Sequence, residues 1–206
     1  MNPCKELSVV SDVDETLVNS IARHVERLTI AGQQHSWPKI PTYDEVIRAG
    51  ETHNAYKHIP EYPALNEQMR FDREFNAGLE PISGAIDAIP FLCATLRAYL
   101  TTRPQSLAQL TADELGTLGF PDRQVICRPN SVDLSRTEEW KLWILMQLAQ
   151  EVGGKIVMVD DNPKMHRKIQ SAQIRGIESI LFAGPITPPN IGAKNWKQIE
   201  HIVPKI

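Results

Sequence analysis

The stretch Val9-Val10-Ser11-Asp12-Val13-Asp14-Glu15-Thr16 changes character halfway along. Leu7–Ser11 is short, apolar and rich in β-branched residues, as a buried strand is, and it runs directly into Asp12, Asp14 and Glu15. On extended backbone, residues two apart share a face, so Asp12 and Asp14 address the same space where the strand ends. Paired carboxylates in that position suit a reaction in two parts. One can attack phosphorus, while the other protonates the leaving oxygen and later deprotonates water.

Other strands along the chain end in the same manner. Residues 96–100 form an apolar strand ending at Thr101-Thr102-Arg103-Pro104, and residues 156–159, IVMV, end at Asp160-Asp161. Between them the spacing predicts a helix over 106–118 closed by Gly119, a strand over 124–127 and a strong helix over Thr137–Val152. A helix over 85–95 comes earlier, with Pro90 an awkward interior residue. Pro163–Ala172 is a helix with proline in its first turn, followed by a strand over 177–182 and a short helix near Trp196–Ile202. Alternating strands and helices give a doubly wound parallel α/β sheet, Rossmann-like, with helices on both faces.

Residues 17–83 interrupt this rhythm. They are too many for a strand-to-helix connection and carry helical patterns of their own, at 18–30 and 64–76, punctuated by Pro38, Pro41, Pro60 and Pro63. The expected organisation is a catalytic core of residues 1–16 and 84–206 with a mainly helical insertion at 17–83. Inserted after the first strand, it would cover the crevice at the carboxyl ends of the strands, where open α/β sheets bind ligands. The insertion holds 6 of the 13 aromatics and 4 of the 6 histidines. Trp37, Tyr43, Tyr56 and Tyr62 are read first as its own core, and His53 to His58, with Tyr56 and Lys57, as the patch to test for substrate contact. Trp140 and Trp143 are read as packing residues.

In a parallel sheet the strand ends meet along one edge, so Asp12, Asp14, Asp160 and Asp161 would converge. Like charges raise one another's pKa, and a cation must compensate. Oxygen-only donors with no His or Cys partner point to a hard ion, and Mg²⁺ fits. Lys141, near the start of its helix, supplies a fixed positive charge and Thr101 a hydroxyl donor. Metal, ammonium and hydroxyl together suit a phosphoryl group.

In this light the sequence resembles the haloacid dehalogenase superfamily of phosphotransferases. VVSDVDET (9–16), AYLTTRP (98–104), TEEWKLW (137–143) and IVMVDDNP (156–163) match that family's four motifs, in its order. The resemblance implies Asp12 as nucleophile and Asp14 as general acid/base with its backbone carbonyl on Mg²⁺. It implies Asp160 as metal ligand and Asp161 as ligand or lysine partner, so that Asp12, Asp14, Asp160 and Asp161 form the metal set. Thr101 and Lys141 would hold the phosphoryl group, with Thr102 and Arg103 beside them. Lys155 and Lys164 are rival lysines, although Lys155 begins its strand at the wrong end. An aspartate at 14 favours phosphate-ester cleavage over dehalogenation, since an alkoxide leaving group needs a proton. The insertion point matches members whose helical cap closes over small substrates.

Composition excludes other classes. Lys plus Arg number 22 against 25 Asp plus Glu, a net charge of -3, so binding nucleic acid by bulk charge is not expected. No apolar run approaches a membrane span, and the N-terminus lacks a signal-peptide core. Cys4, Cys93 and Cys127 make no disulfide framework. A cytoplasmic enzyme hydrolysing a small phosphorylated metabolite, a nucleotide or sugar phosphate, is the expectation. A phosphomutase on the same fold is the nearest alternative. A signalling module like a bacterial receiver is a more distant one, since receivers phosphorylate an aspartate on the third strand.

Overall fold

The computed structural model describes residues 7–49, 52–183 and 192–205. Cys4, Pro185, Pro188 and Pro189 lie outside the described residues, as does the side chain of His53. Strand β1 (Leu7–Ser11) is followed by four helices, α1 (Ser20–Gln34), α2 (Tyr43–Ala49), α3 (Thr52–Tyr56) and α4 (Tyr62–Phe71). The alternation then runs α5 (Ile89–Thr95), β2 (Leu96–Pro104), α6 (Ala108–Thr117), β3 (Gln124–Arg128), α7 (Thr137–Val152), β4 (Lys155–Asp160), α8 (Pro163–Ala172), β5 (Ile177–Leu181) and α9 (Trp196–Ile202).

All strand pairings are parallel, in the order β3-β2-β1-β4-β5. Both faces of the sheet are covered. Val9, Val157, Val159 and Tyr99 pack against Leu92 of α5, Leu115 of α6 and Trp196 and Ile199 of α9. Val10, Leu100, Ile156 and Met158 pack on the other side against Leu145 and Leu148 of α7 and Met165 and Ile169 of α8. Successive residues thus bury into opposite layers, which is why β1 and β4 read as unbroken apolar runs instead of alternating ones.

The inserted helices build a third apolar cluster. It joins Ile21 and Leu28 of α1, Val46 of α2, Tyr56 of α3, Tyr62 and Met69 of α4, and Phe75. Tyr56 is fully buried, donates its hydroxyl to the Pro41 carbonyl at 3.1 Å and stacks on Tyr62 at 5.6 Å between ring centroids. Lys57 and His58 are exposed beside it. The chain leaves and rejoins the sheet side by side, through Asn19 N–H to the Glu80 carbonyl and Ile82 N–H to the Leu17 carbonyl, both 2.8 Å.

Several element boundaries differ from the sequence reading, each for a local reason. Helix α1 begins at Ser20 instead of residue 18 because residues 13–18 are taken up by a tight turn. The Val13 carbonyl accepts from Leu17 and Val18 at 2.8 and 3.1 Å, and Glu15 sits at φ 57°. Helix α4 stops at Phe71, short of Asn76. The Asp72 carboxylate accepts from the backbone of Glu74 and Phe75 at 2.8 and 3.2 Å, a local alternative to the helical ladder. Pro90 lies in the first turn of α5, where its missing N–H costs nothing, so that helix starts at Ile89 and not at 85. Trp140 packs in the core, but Trp143 is 54% exposed and corrects the packing role expected of it.

Candidate active site

In this strand order the chain direction across the sheet reverses between β1 and β4. Their carboxyl ends therefore flank the crevice where such folds bind ligands. Ser11 pairs with Val159 in register, and the Asp12 N–H donates to the Val159 carbonyl at 2.9 Å. Asp12 and Asp160 consequently lie side by side at one sheet edge, both buried.

Lys141 reaches them from α7. That helix returns antiparallel to the strands, so its first turn lies at the carboxyl edge of the sheet. Lys141 is its fifth residue, roughly 6 Å along the axis. Its side chain is 3% exposed, and Nζ stands 2.7 Å from Asp160 Oδ2 and 3.1 Å from Asp12 Oδ2. Burial works against the ammonium charge, but Asp12 and Asp160 outweigh it and hold the Lys141 pKa above its ordinary value. The rivals are placed elsewhere: Lys155 opens β4 at its amino end, and Lys164 is an exposed residue of α8.

One oxygen each of Asp12, Asp160 and Asp161 lies within 4.8 Å of the others. Asp12 Oδ1 is buried with no hydrogen-bond partner. Burial pushes the Asp12 carboxyl up to about 7, with Asp160 and Asp14 adding repulsion and Lys141 opposing. Asp161 is raised well above the usual carboxylate range by burial, then by Asp160 and Asp12. One ammonium cannot neutralise this set. This buried all-oxygen donor cluster fits a hard divalent cation such as Mg²⁺.

Asp14 faces elsewhere. Arg103 grips it through Nη2 to Oδ1 at 2.8 Å and through Nε to Oδ1 and Oδ2 at 3.2 and 3.0 Å. The other side of the Arg103 fork, Nη1, donates to Glu114 Oε2 at 2.9 Å and Thr111 Oγ1 at 3.3 Å. Arg103 is 3% exposed, and its donors are occupied by protein acceptors. That arrangement differs from the phosphate contact expected of it. Thr101 is fully buried, and its hydroxyl oxygen accepts the Arg103 N–H at 3.2 Å. Thr102 lines a cavity of about 210 Å³ together with Asp14, His24, Asn66 and Arg70. The expected residues therefore form two groups. Asp12, Lys141, Asp160 and Asp161 make a charged cluster, while Asp14 and Arg103 make a separate ion pair on the side of the inserted helices.

Three further participants have no role assigned from the sequence. Glu114 on α6 anchors Arg103 and also accepts the Leu79 N–H at 2.8 Å. Glu15 was read only as part of the acidic strand end. Its Oε1 accepts from Ser20 N, Ser20 Oγ and Ile21 N at 2.7, 2.8 and 2.9 Å, tying the strand end to α1. Arg70 on α4 faces the cavity beside Asp14. An acid inside the motif hinted at Glu15, whereas nothing local distinguishes Glu114 or Arg70 from other helical surface residues. A larger cavity, about 1140 Å³, lies at the opposite end of the sheet near Gly153, Lys155 and Gly176, and contains none of these groups.

No protein-family profile matches the chain, and no curated protein is similar to it at a significant level. Solved structures do match. A protein from Lactobacillus delbrueckii subsp. bulgaricus, described as a candidate phosphoglycolate phosphatase, superposes with a TM-score of 0.62 at 15% identity, over 95% of this chain and 97% of that one. A subfamily IA haloacid dehalogenase-superfamily hydrolase from Geobacter sulfurreducens gives 0.59 at 14% identity over 98% of both chains. A candidate β-phosphoglucomutase from Thermotoga maritima gives 0.59 at 17%, over 98% of this chain and 99% of that one. With the parallel sheet, its strand order and the acidic edge between β1 and β4, the chain has the fold of the haloacid dehalogenase-like hydrolases.

Proposed function

We propose that this protein is a cytoplasmic haloacid dehalogenase-type phosphatase that hydrolyses a small phosphate monoester through an aspartyl-phosphate on Asp12. The observation that carries this reading is the contact of Lys141 Nζ with both Asp12 and Asp160, beside an Asp12 oxygen left without a partner. Asp12 Oδ1 is then the free nucleophile, and Lys141 holds Oδ2. Attack on phosphorus forms the acyl phosphate and breaks the bond to the ester oxygen. A water molecule then attacks the phosphoryl group, losing its proton as phosphate leaves and the Asp12 carboxylate is restored. A divalent ion bound by Asp12, Asp160 and Asp161 would supply positive charge for the phosphoryl oxygens.

Asp14 is the group suited to give the departing oxygen its proton and to take one from the water. Both of its oxygens accept from the Arg103 fork. Acting as the acid therefore requires that fork to open when substrate enters. Residues 17–83, with their own apolar cluster and their paired leaving and rejoining strands, serve as the cap that excludes water.

Phosphate release from p-nitrophenyl phosphate with Mg²⁺, abolished by chelator, tests the reading. Asp12→Asn lowers kcat by at least about a thousandfold with circular dichroism unchanged, on the scale of losing an essential nucleophile. Retained turnover in that variant overturns the mechanism. Asp14→Asn loses far more activity on alkyl phosphates than on p-nitrophenyl phosphate, whose leaving group needs no proton. Equal losses would remove Asp14 from the acid role. The likeness to a candidate phosphoglucomutase keeps phosphoryl transfer to a second hydroxyl as the rival outcome, and phosphorus NMR of the products separates the two.

A further inference from the structure

Beside Asp14 the inserted helices and the sheet border the open cavity of about 210 Å³ that Thr102 lines. Its volume is below the 300–1,000 Å³ typical of drug-sized ligands, so it suits a short leaving group. Arg70, from α4, is the cationic wall without a full set of partners. Its side chain is 14% exposed, and its one carboxylate contact among the described residues is Nη1 to Glu67 at 3.3 Å, with Glu67 itself 60% exposed. Arg70 Nη2 is buried with no acceptor. The other charged groups here are accounted for. Asp14 and Arg103 satisfy each other, and Glu114 holds the far side of Arg103. His24 contacts Asn66 at 3.3 Å, and its burial holds it neutral. Arg128 is close enough to repel Arg70, and donates to the carbonyls of Thr102, Pro129 and Val132. Arg70 thus lines this cavity with one donor idle.

We infer that Arg70 is a specificity-determining residue that binds an anionic substituent on the leaving group, so that the substrate is a short phosphate monoester bearing a carboxylate or a second phosphate. The inference rests on the phosphatase reading above. A planar fork with a free Nη2 matches either anion, and burial makes the contact stronger than at the surface. Neutral polyol phosphates are disfavoured, since they leave the guanidinium unanswered.

The test compares kcat/KM for three esters of similar length, ending in a carboxylate, a second phosphate or a hydroxyl. The wild type prefers an anionic ester over the hydroxyl ester by at least tenfold, and the two anionic arms show which anion is used. Arg70→Gln lowers the ratio of anionic to neutral kcat/KM by at least tenfold, and Arg70→Lys gives an intermediate ratio. A ratio is insensitive to a general loss of folded enzyme. Equal use of all three esters by the wild type, or an unchanged ratio in Arg70→Gln, overturns the inference while leaving the phosphatase reading intact. Binding is read separately by calorimetry on Asp12→Asn with each of the two anionic esters, with and without Arg70→Gln. Absent turnover in the wild type with Arg70-dependent binding would sink the phosphatase reading and keep this one. Binding that ignores Arg70 sinks this one.

Discussion

Arg103 shows how much one side chain can hold together. It lies between Asp14 and Glu114, both within 2.9 Å, and its backbone N–H is anchored on Thr101. Burial alone would lower its pKa, yet Asp14 and Glu114 together keep it above the ordinary arginine value. Removing the guanidinium leaves a buried Glu114 and a partly buried Asp14 without a counter-charge. Arg103→Ala is therefore expected to cost about 3–5 kcal/mol of stability, read by urea unfolding. Glu114→Gln keeps an acceptor for the Leu79 N–H and costs less. The residues of the charged cluster were legible in the sequence, because Asp12, Lys141 and Asp160 each stand at a strand end or a helix start. The partner of Arg103 was not, because an acid in the middle of α6 reads the same whichever way it faces.

At the scale of elements, the junction between β1 and α1 carries the most constraint. Glu15 occupies left-handed backbone, uncommon for a residue with a Cβ, and its carboxylate caps the first turn of α1. Glu15→Ala removes all three of those bonds and is expected to destabilise the protein by about 1–2 kcal/mol, the scale of a lost helix cap. Hydrogen exchange should show the loss concentrated in α1 and not in β1. Separate clusters make a second expectation. Leu28→Ala opens a void in the inserted helices and should cost about 2–5 kcal/mol, speeding exchange in α1–α4 while β1 and β4 keep their protection. Equal loss of protection in the sheet would mean that the inserted helices and the core unfold as one unit. Helical spacing finds α1, α4 and α5 but misplaces their ends. Those are set by Val13, Asp72 and Pro90 acting locally through hydrogen bonds and missing donors, which apolar spacing does not record.

For the whole molecule, the concentrated acidity of the site should dominate the response to pH. Burial raises Asp12 from 3.8 and Glu15 from 4.5, each to about 7. Each carboxyl thus holds its proton more tightly in the folded chain than in the unfolded one. Their contribution to stability is present at the acidic end of that window and is lost as pH rises through about 7. Without metal, the melting temperature should therefore fall between about pH 4 and 7. Saturating Mg²⁺ should flatten the part owed to Asp12, since the ion favours the ionised carboxylate. A metal-free melting temperature that climbs across that window would contradict this placement of charge. Among the described residues no helix is long and apolar enough to cross a membrane. The sequence by itself determined the parallel α/β sheet and the edge where its acids gather, because buried strands, their polar ends and helical spacing are all local patterns. Only the tertiary structure decided that Asp14 pairs with Arg103 and that Arg70 faces the same cavity with a donor to spare. Those contacts join the turn after β1 to β2 and α4, and the direction in which a side chain points is set by packing, not by its neighbours in the chain.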